Sequence, residues 1–112
     1  MRHVLFTDGK DDYQIVGKDV LVGDGHCSFA PDEKWIATDR GHFEKRAKSL
    51  WIYNAETRDV QQLGTFPVGD YYGGDLRCDL HPRWNRTGNA ICFDALEKGK
   101  WTRQLHTAYL EW

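Results

Sequence analysis

Laid over itself, the chain repeats, and that repeat constrains the fold more than any single motif does. HCSFAPDEKWIATD, from His26 to Asp39, overlays HPRWNRTGNAICFD, from His81 to Asp94, without a gap. The pairs His26/His81, Phe29/Trp84, Ile36/Ile91 and Asp39/Asp94 carry the match, and the same offset sets Leu50 on Leu105 across polar loops of equal length. A second ungapped overlay joins HVLFTDGKDDYQIVG at 3–17 to LWIYNAETRDVQQLG at 50–64, with Asp12/Asp59, Gln14/Gln61 and Gly17/Gly64 identical. A period of this size signals one supersecondary unit used more than once.

The unit itself is β. Its apolar runs are short, rich in β-branched and aromatic residues, and broken at close intervals by polar turns, which an amphipathic helix does not tolerate. We name the strands of one unit a to d from the inside outward: a over 26–30, b over 34–39, c over 49–54 and d over 59–63. The a–b connection is Ala30-Pro31-Asp32-Glu33, where Pro at the second turn position presets φ, and its counterpart is Asn85-Arg86-Thr87-Gly88. The chain then reads c-d, a-b-c-d, a-b-c. The expected fold is all-β, with antiparallel four-stranded propeller blades, about two per chain. It forms one domain over 1–112: a partial c-d blade at 1–17, a full a–d blade at 26–64 and a partial a–c blade at 77–112. An unrelated small β-sandwich is the alternative.

Charge and composition exclude several partner classes. Fifteen Lys and Arg stand against seventeen Asp and Glu, a net charge of −2, so no strong field selects nucleic acid or an anionic membrane. There is no run of about 18 apolar residues, and the start MRHVLFTDGK lacks the apolar stretch of an export signal. The expectation is a soluble, cytoplasmic chain. Cys27, Cys78 and Cys92 are odd in number and widely spaced, matching neither a disulfide framework nor a zinc ribbon, and read as reduced packing residues.

At GHCSFAPDEKWIATD and RCDLHPRWNRTGNAICFD the sequence resembles TolB-like propeller repeats, whose pattern is a short strand, Ser-Pro-Asp-Gly and an apolar strand. Both turns depart from that pattern. The closer resemblance, over roughly 2–110, is to the C-terminal blades of oligogalacturonate lyase-like propeller proteins. Such relatives often borrow the last strand d from the chain's N-terminus, which would explain a final blade that halts at strand c. The resemblance implies a metal site at the channel mouth, where these lyases hold manganese with histidines and a glutamine. His26 and His81 match two of the histidine positions, and Cys78 stands where the glutamine would be sought. No cofactor is firmly implied; manganese is the one the resemblance suggests.

Strand alternation would put Asp79, His81 and Arg83 on one face of their strand and Leu80, Pro82 and Trp84 on the other. β-Elimination from a uronate needs a base for the proton α to the carboxylate and a cation for the charge that develops. Arg77 or Arg83 would pair with the carboxylate, His81 would act as base or metal ligand, and Asp79 would orient it. The competing reading makes Asp79, His81 and Arg83 an ion-pair network between blades, and His26 a capping histidine. Tyr71 and Tyr72, before Gly73-Gly74, mark a flexible 64–76 loop that would stack on sugar, or else a plain connection. His3, His42 and His106 have no partners at ligand spacing, and GHFEKRAK at 41–48 reads as a solvated hairpin tip.

Two functions are expected from these features. The first is a binding and assembly module that self-associates through blade edges as a homo-oligomer, with no catalysis by the isolated chain. The second is a fragment or subunit of a manganese-dependent, oligogalacturonate lyase-like enzyme. An acidic oligosaccharide is the ligand class expected in either case. A third possibility is a remnant with no selected activity.

Overall fold

A computed structural model describes residues 2–112; Met1, with which the first expected range begins, lies outside the described residues. Nine strands form three antiparallel sheets. β1 (His3–Phe6) and β2 (Tyr13–Val16) form a hairpin. β3 (Ser28–Phe29), β4 (Trp35–His42), β5 (Ala47–Asn54) and β6 (Val60–Pro67) form a four-stranded sheet in that order. β7 (Arg83–Trp84), β8 (Ala90–Leu96) and β9 (Arg103–Tyr109) form a three-stranded one. The architecture is all-β, and the sheets follow the order c-d, a-b-c-d, a-b-c.

The repeat holds at the level of strand register. Asp39 pairs with Leu50 and Asp94 with Leu105; Phe29 pairs with Ile36 and Trp84 with Ile91. The second overlay holds too, since Val4↔Ile15 and Phe6↔Tyr13 reproduce Trp51↔Gln62 and Tyr53↔Val60. It fails at one pair only. A register shift between Leu50 and Trp51 leaves Leu63 without an opposite residue and pairs Leu50 with Gly64, whereas His3 still faces Val16. A bulge of this kind adds local twist and bends the strand.

Turn chemistry explains how the altered a–b turns still work. In the first, Asp32 Oδ1 accepts the amides of Lys34 and Trp35; in the second, Asn85 Oδ1 accepts those of Asn89 and Ala90. Glu33 has φ +60°, and its counterpart Gly88 has φ +72°. The left-handed position has therefore been kept while its glycine was replaced in the first copy, at a cost of about 1–2 kcal/mol.

The inner strands are shorter than expected. Strand a spans two residues, because the His26 amide donates to the Asp39 side chain at 2.7 Å instead of to a ladder carbonyl. The 64–76 segment is likewise not a free loop. β6 continues through Pro67, the amide of the buried Val68 donates to Arg46 O, and a 3₁₀ turn over Gly69–Tyr71 leads to Cys78, whose amide donates to Tyr71 O.

Each sheet buries one face on its neighbour. Ala37, Leu50 and Ile52 of the four-stranded sheet pack against Leu80, Ile91, Phe93 and Ala95, and Phe66 adds a ring 4.9 Å from Phe93. The opposite face, through Ile36 and Tyr53, packs on Leu21 and Val16 beside the first hairpin. Trp84 Nε1–H ties the sheets further by donating to Ser28 O at 3.0 Å. Each large aliphatic side chain buried in this way contributes roughly 1.5–3 kcal/mol.

Repeat-equivalent leucines should therefore differ sharply. Leu50 is 1% exposed and Leu105 is 67% exposed. Urea unfolding should show Leu50→Ala costing about 2–5 kcal/mol and Leu105→Ala less than about 0.5 kcal/mol. Equal losses would contradict the packing described.

Candidate functional site

The site forms where the two copies of the repeat meet, and Asp39 builds it. This carboxylate, 4% exposed at the middle of β4, accepts hydrogen bonds from both sheets. Oδ1 takes the His26 amide at 2.7 Å, while Oδ2 takes the amides of Leu80 at 2.8 Å and His81 at 3.2 Å. His26 Nδ1 also lies 3.1 Å from Oδ1 and 3.2 Å from Oδ2. An ionised carboxylate only accepts, so Nδ1 carries the proton and Nε2 keeps its lone pair. This is the arrangement that orients metal-binding and basic histidines.

The two repeat-equivalent histidines meet within one chain. Their rings stand 4.0 Å apart at 42°. His81 reaches this place with φ +44°, a left-handed conformation uncommon for a side-chain-bearing residue. The expected alternation holds over 80–84, where Leu80 and Pro82 are buried and His81 and Arg83 exposed; only Asp79 departs from it, being buried like Leu80.

Asp79 does not orient His81. Its Oδ1 lies 3.0 Å from Lys48 Nζ and its Oδ2 accepts from Arg77 Nε at 2.8 Å. Burial alone would push its carboxyl up, but the hydrogen bonds and charges of Arg77 and Lys48 outweigh that and hold it below the usual carboxylate range. Lys48 was expected on a solvated tip. It is instead only 12% exposed, with its ammonium 4.2 Å from the centre of the Tyr72 ring. The tip proper is Phe43–Arg46, since β4 runs to His42 and β5 starts at Ala47.

His26, Asp39, Lys48, Arg77 and Asp79 line a cleft of about 450 Å³ together with Asp24, Arg40, Gly41 and Tyr72; His81 touches the His26 ring but is not part of the lining. A Cβ at Gly41 would collide with the Tyr72 hydroxyl, so a side chain there would displace that phenol from the cleft. Arg40 has no ion-pair partner among the described residues within 4.0 Å. The cleft thus presents guanidinium donors, a phenol and imidazole nitrogens, a set that suits a ligand carrying carboxylate and hydroxyl groups.

Of the residues singled out in the sequence, His26, Arg77 and Tyr72 line this cleft, and His81 joins them at its edge through the His26 ring and Asp79. Arg83 does not: its Nη2 lies 3.7 Å from Asp94, and it is absent from the cleft lining. Tyr71 packs against Val68, Cys78 and Leu96. Cys78 is fully buried in that cluster, outside the cleft lining and the group of His26, Asp79 and His81, so it does not stand where a ligand in place of glutamine would. His3, His42 and His106 lie in β1, β4 and β9, and His42 Nε2 shares a hydrogen bond of 2.7 Å with Ser49 Oγ.

The donor set was tested against a divalent transition ion. One ligand atom from each of His26, Asp79 and His81 can be chosen so that all lie within 4.8 Å of one another. Two imidazoles and a carboxylate suit manganese, iron or zinc, and a carboxylate has lone pairs beyond the two that Lys48 and Arg77 engage. The residues fit such an ion, with the two cations competing for Asp79.

Asp79 should make stability acid-sensitive. Its folded pKa is depressed, so its contribution is complete above the ordinary carboxylate value of about 4 and is lost as pH falls through the lower folded value. Thermal melts from pH 6 to pH 2.5 should show a steeper loss for the native chain than for Asp79→Asn; parallel curves would contradict the assignment. Compared with known proteins, the chain matches no family model, no curated protein and no solved structure.

Proposed function

We propose that the chain is a propeller-repeat binding and assembly module. It takes an acidic, carboxylate-bearing oligosaccharide in the histidine cleft and self-associates through its blade edges, without turnover by the isolated chain. The observation that carries the binding half is the convergence of His26, His81 and Asp79 beside Arg40, Lys48 and Arg77. The assembly half rests on sheet order: β1 pairs only with β2 and β9 only with β8 among the described residues. Such strands carry unpaired backbone donors and acceptors that recruit further strands. We place the module in the cytoplasm.

A second reading is favoured by the tautomer of His26. With Nδ1–H held by Asp39, Nε2 is free to accept the proton α to a uronate carboxylate, while Arg40 or Arg77 holds that carboxylate. A divalent ion such as manganese, held in this scheme by His81 and Asp79 because His26 Nε2 cannot ligate it while acting as base, would supply positive charge for the enolate-like species of β-elimination. Arg83 drops out of this scheme because it pairs with Asp94. Tyr72 contributes its hydroxyl more than a stacking face, since Lys48 sits over the ring.

Calorimetric titration with oligogalacturonate, with and without manganese, tests both readings when product absorbance is followed in parallel. The module reading predicts saturable binding, weakened about tenfold or more by Arg40→Ala, and no unsaturated product. The enzyme reading predicts an absorbance rise that His81→Ala abolishes. Absence of any binding would overturn both.

A further inference from the structure

The two outermost sheet faces are the two halves of an interface that the chain already contains. Inside the molecule, the face carrying Ala37, Leu50 and Ile52 is covered by the next sheet, and the face carrying Ile36 and Tyr53 covers what precedes it. The repeat places Cys92, Leu105 and Thr107 at the positions of Ala37, Leu50 and Ile52, on the outer face of β8 and β9. It likewise places Val4 and Phe6 at the positions of Trp51 and Tyr53, on the outer face of β1 and β2 beside Ile15 and Tyr13. Tyr53 is 2% exposed, whereas Phe6 is 68% exposed and Tyr13 66%. Leu105 and Tyr109 stand equally open at the other end.

We propose that a second copy of this chain docks head to tail. The Val4/Phe6/Tyr13/Ile15 face of one molecule would cover the Leu105/Tyr109 face of the next, reproducing the stacking of sheet on sheet seen within the molecule. The occupant follows from quasi-equivalence: each face has the residue positions and strand types of a face that is already buried by its complement, with Leu105 and Tyr109 as the apolar groups of one and Val4, Phe6, Tyr13 and Ile15 as those of the other. An interface of this kind is heterologous, so each molecule retains one free face of each type and assembly proceeds to a ring or an open stack. This rests on the self-association reading above but replaces edge pairing with face packing as the contact.

Directional mixing separates the two. Phe6→Glu and Leu105→Glu each place a charge on one exposed face, and circular dichroism checks that both variants fold. Sedimentation velocity should show native chain associating, each variant alone monomeric, and an equimolar mixture forming a dimer and nothing larger, because each variant keeps the face its partner lacks. If either variant alone still associates like the native chain, head-to-tail packing is overturned while edge-mediated association stands; a mixture that stays monomeric overturns head-to-tail packing without supporting edge pairing. A native chain that is monomeric at millimolar concentration overturns both.

Discussion

One buried carboxylate joins the two copies of the repeat. Asp39 takes amide hydrogen bonds from His26 in its own sheet and from Leu80 and His81 in the next, and so replaces ladder bonds that the short inner strands do not make. Hydrogen bonds to an ionised acceptor are worth about 1.5–3 kcal/mol each, and a buried amide left without one costs a similar amount. Hydrophobic contact between Leu50, Ile52, Ile91 and Phe93 supplies bulk attraction but no direction. The carboxylate supplies register, fixing residues 80 and 81 just ahead of the inner strand of the second sheet.

The same contact sets the chemistry of the cleft. By holding the His26 ring through Nδ1 and the His81 backbone through its amide, Asp39 brings two imidazoles from different sheets into ring contact. Asp79 then settles between Lys48 and Arg77, so the cations at this mouth are partly neutralised by the protein itself. What remains for a ligand is Arg40, the outward donors of Arg77, the Tyr72 hydroxyl and the free imidazole nitrogens. In the proposed function that balance would suit reversible capture of a polar, carboxylate-bearing molecule, and one carboxylate would then serve both structure and binding.

Much of the fold was legible because a repeat encodes register as well as strand identity: aligning Asp39 with Asp94 and Leu50 with Leu105 specified pairings that the strands adopt. The inner strands were overestimated since period-2 reasoning assumes ladder bonding, and here a side chain takes the amide. The positive φ of His81 has no signature in composition or spacing, and neither has the burial of Asp79. Lys48 was missed because a charged run near a turn resembles a solvated tip; its position one residue inside β5 was the available clue. Asp39 was visible as an identical acidic pair within an apolar strand, a placement that demands buried donors. The two histidines matched by resemblance are ones the fold brings within 4.8 Å of an Asp79 carboxylate oxygen, and Asp79 had been singled out in the sequence only as an orienting group.

Amide hydrogen exchange on Asp39→Ala tests the central claim most directly. The account predicts that the amides of His26, Leu80 and His81 lose protection by at least tenfold beyond any global loss, while the β4–β5 ladder exchanges at the rate set by overall stability alone. Unchanged relative protection at Leu80 and His81 would contradict a carboxylate joint between the two sheets.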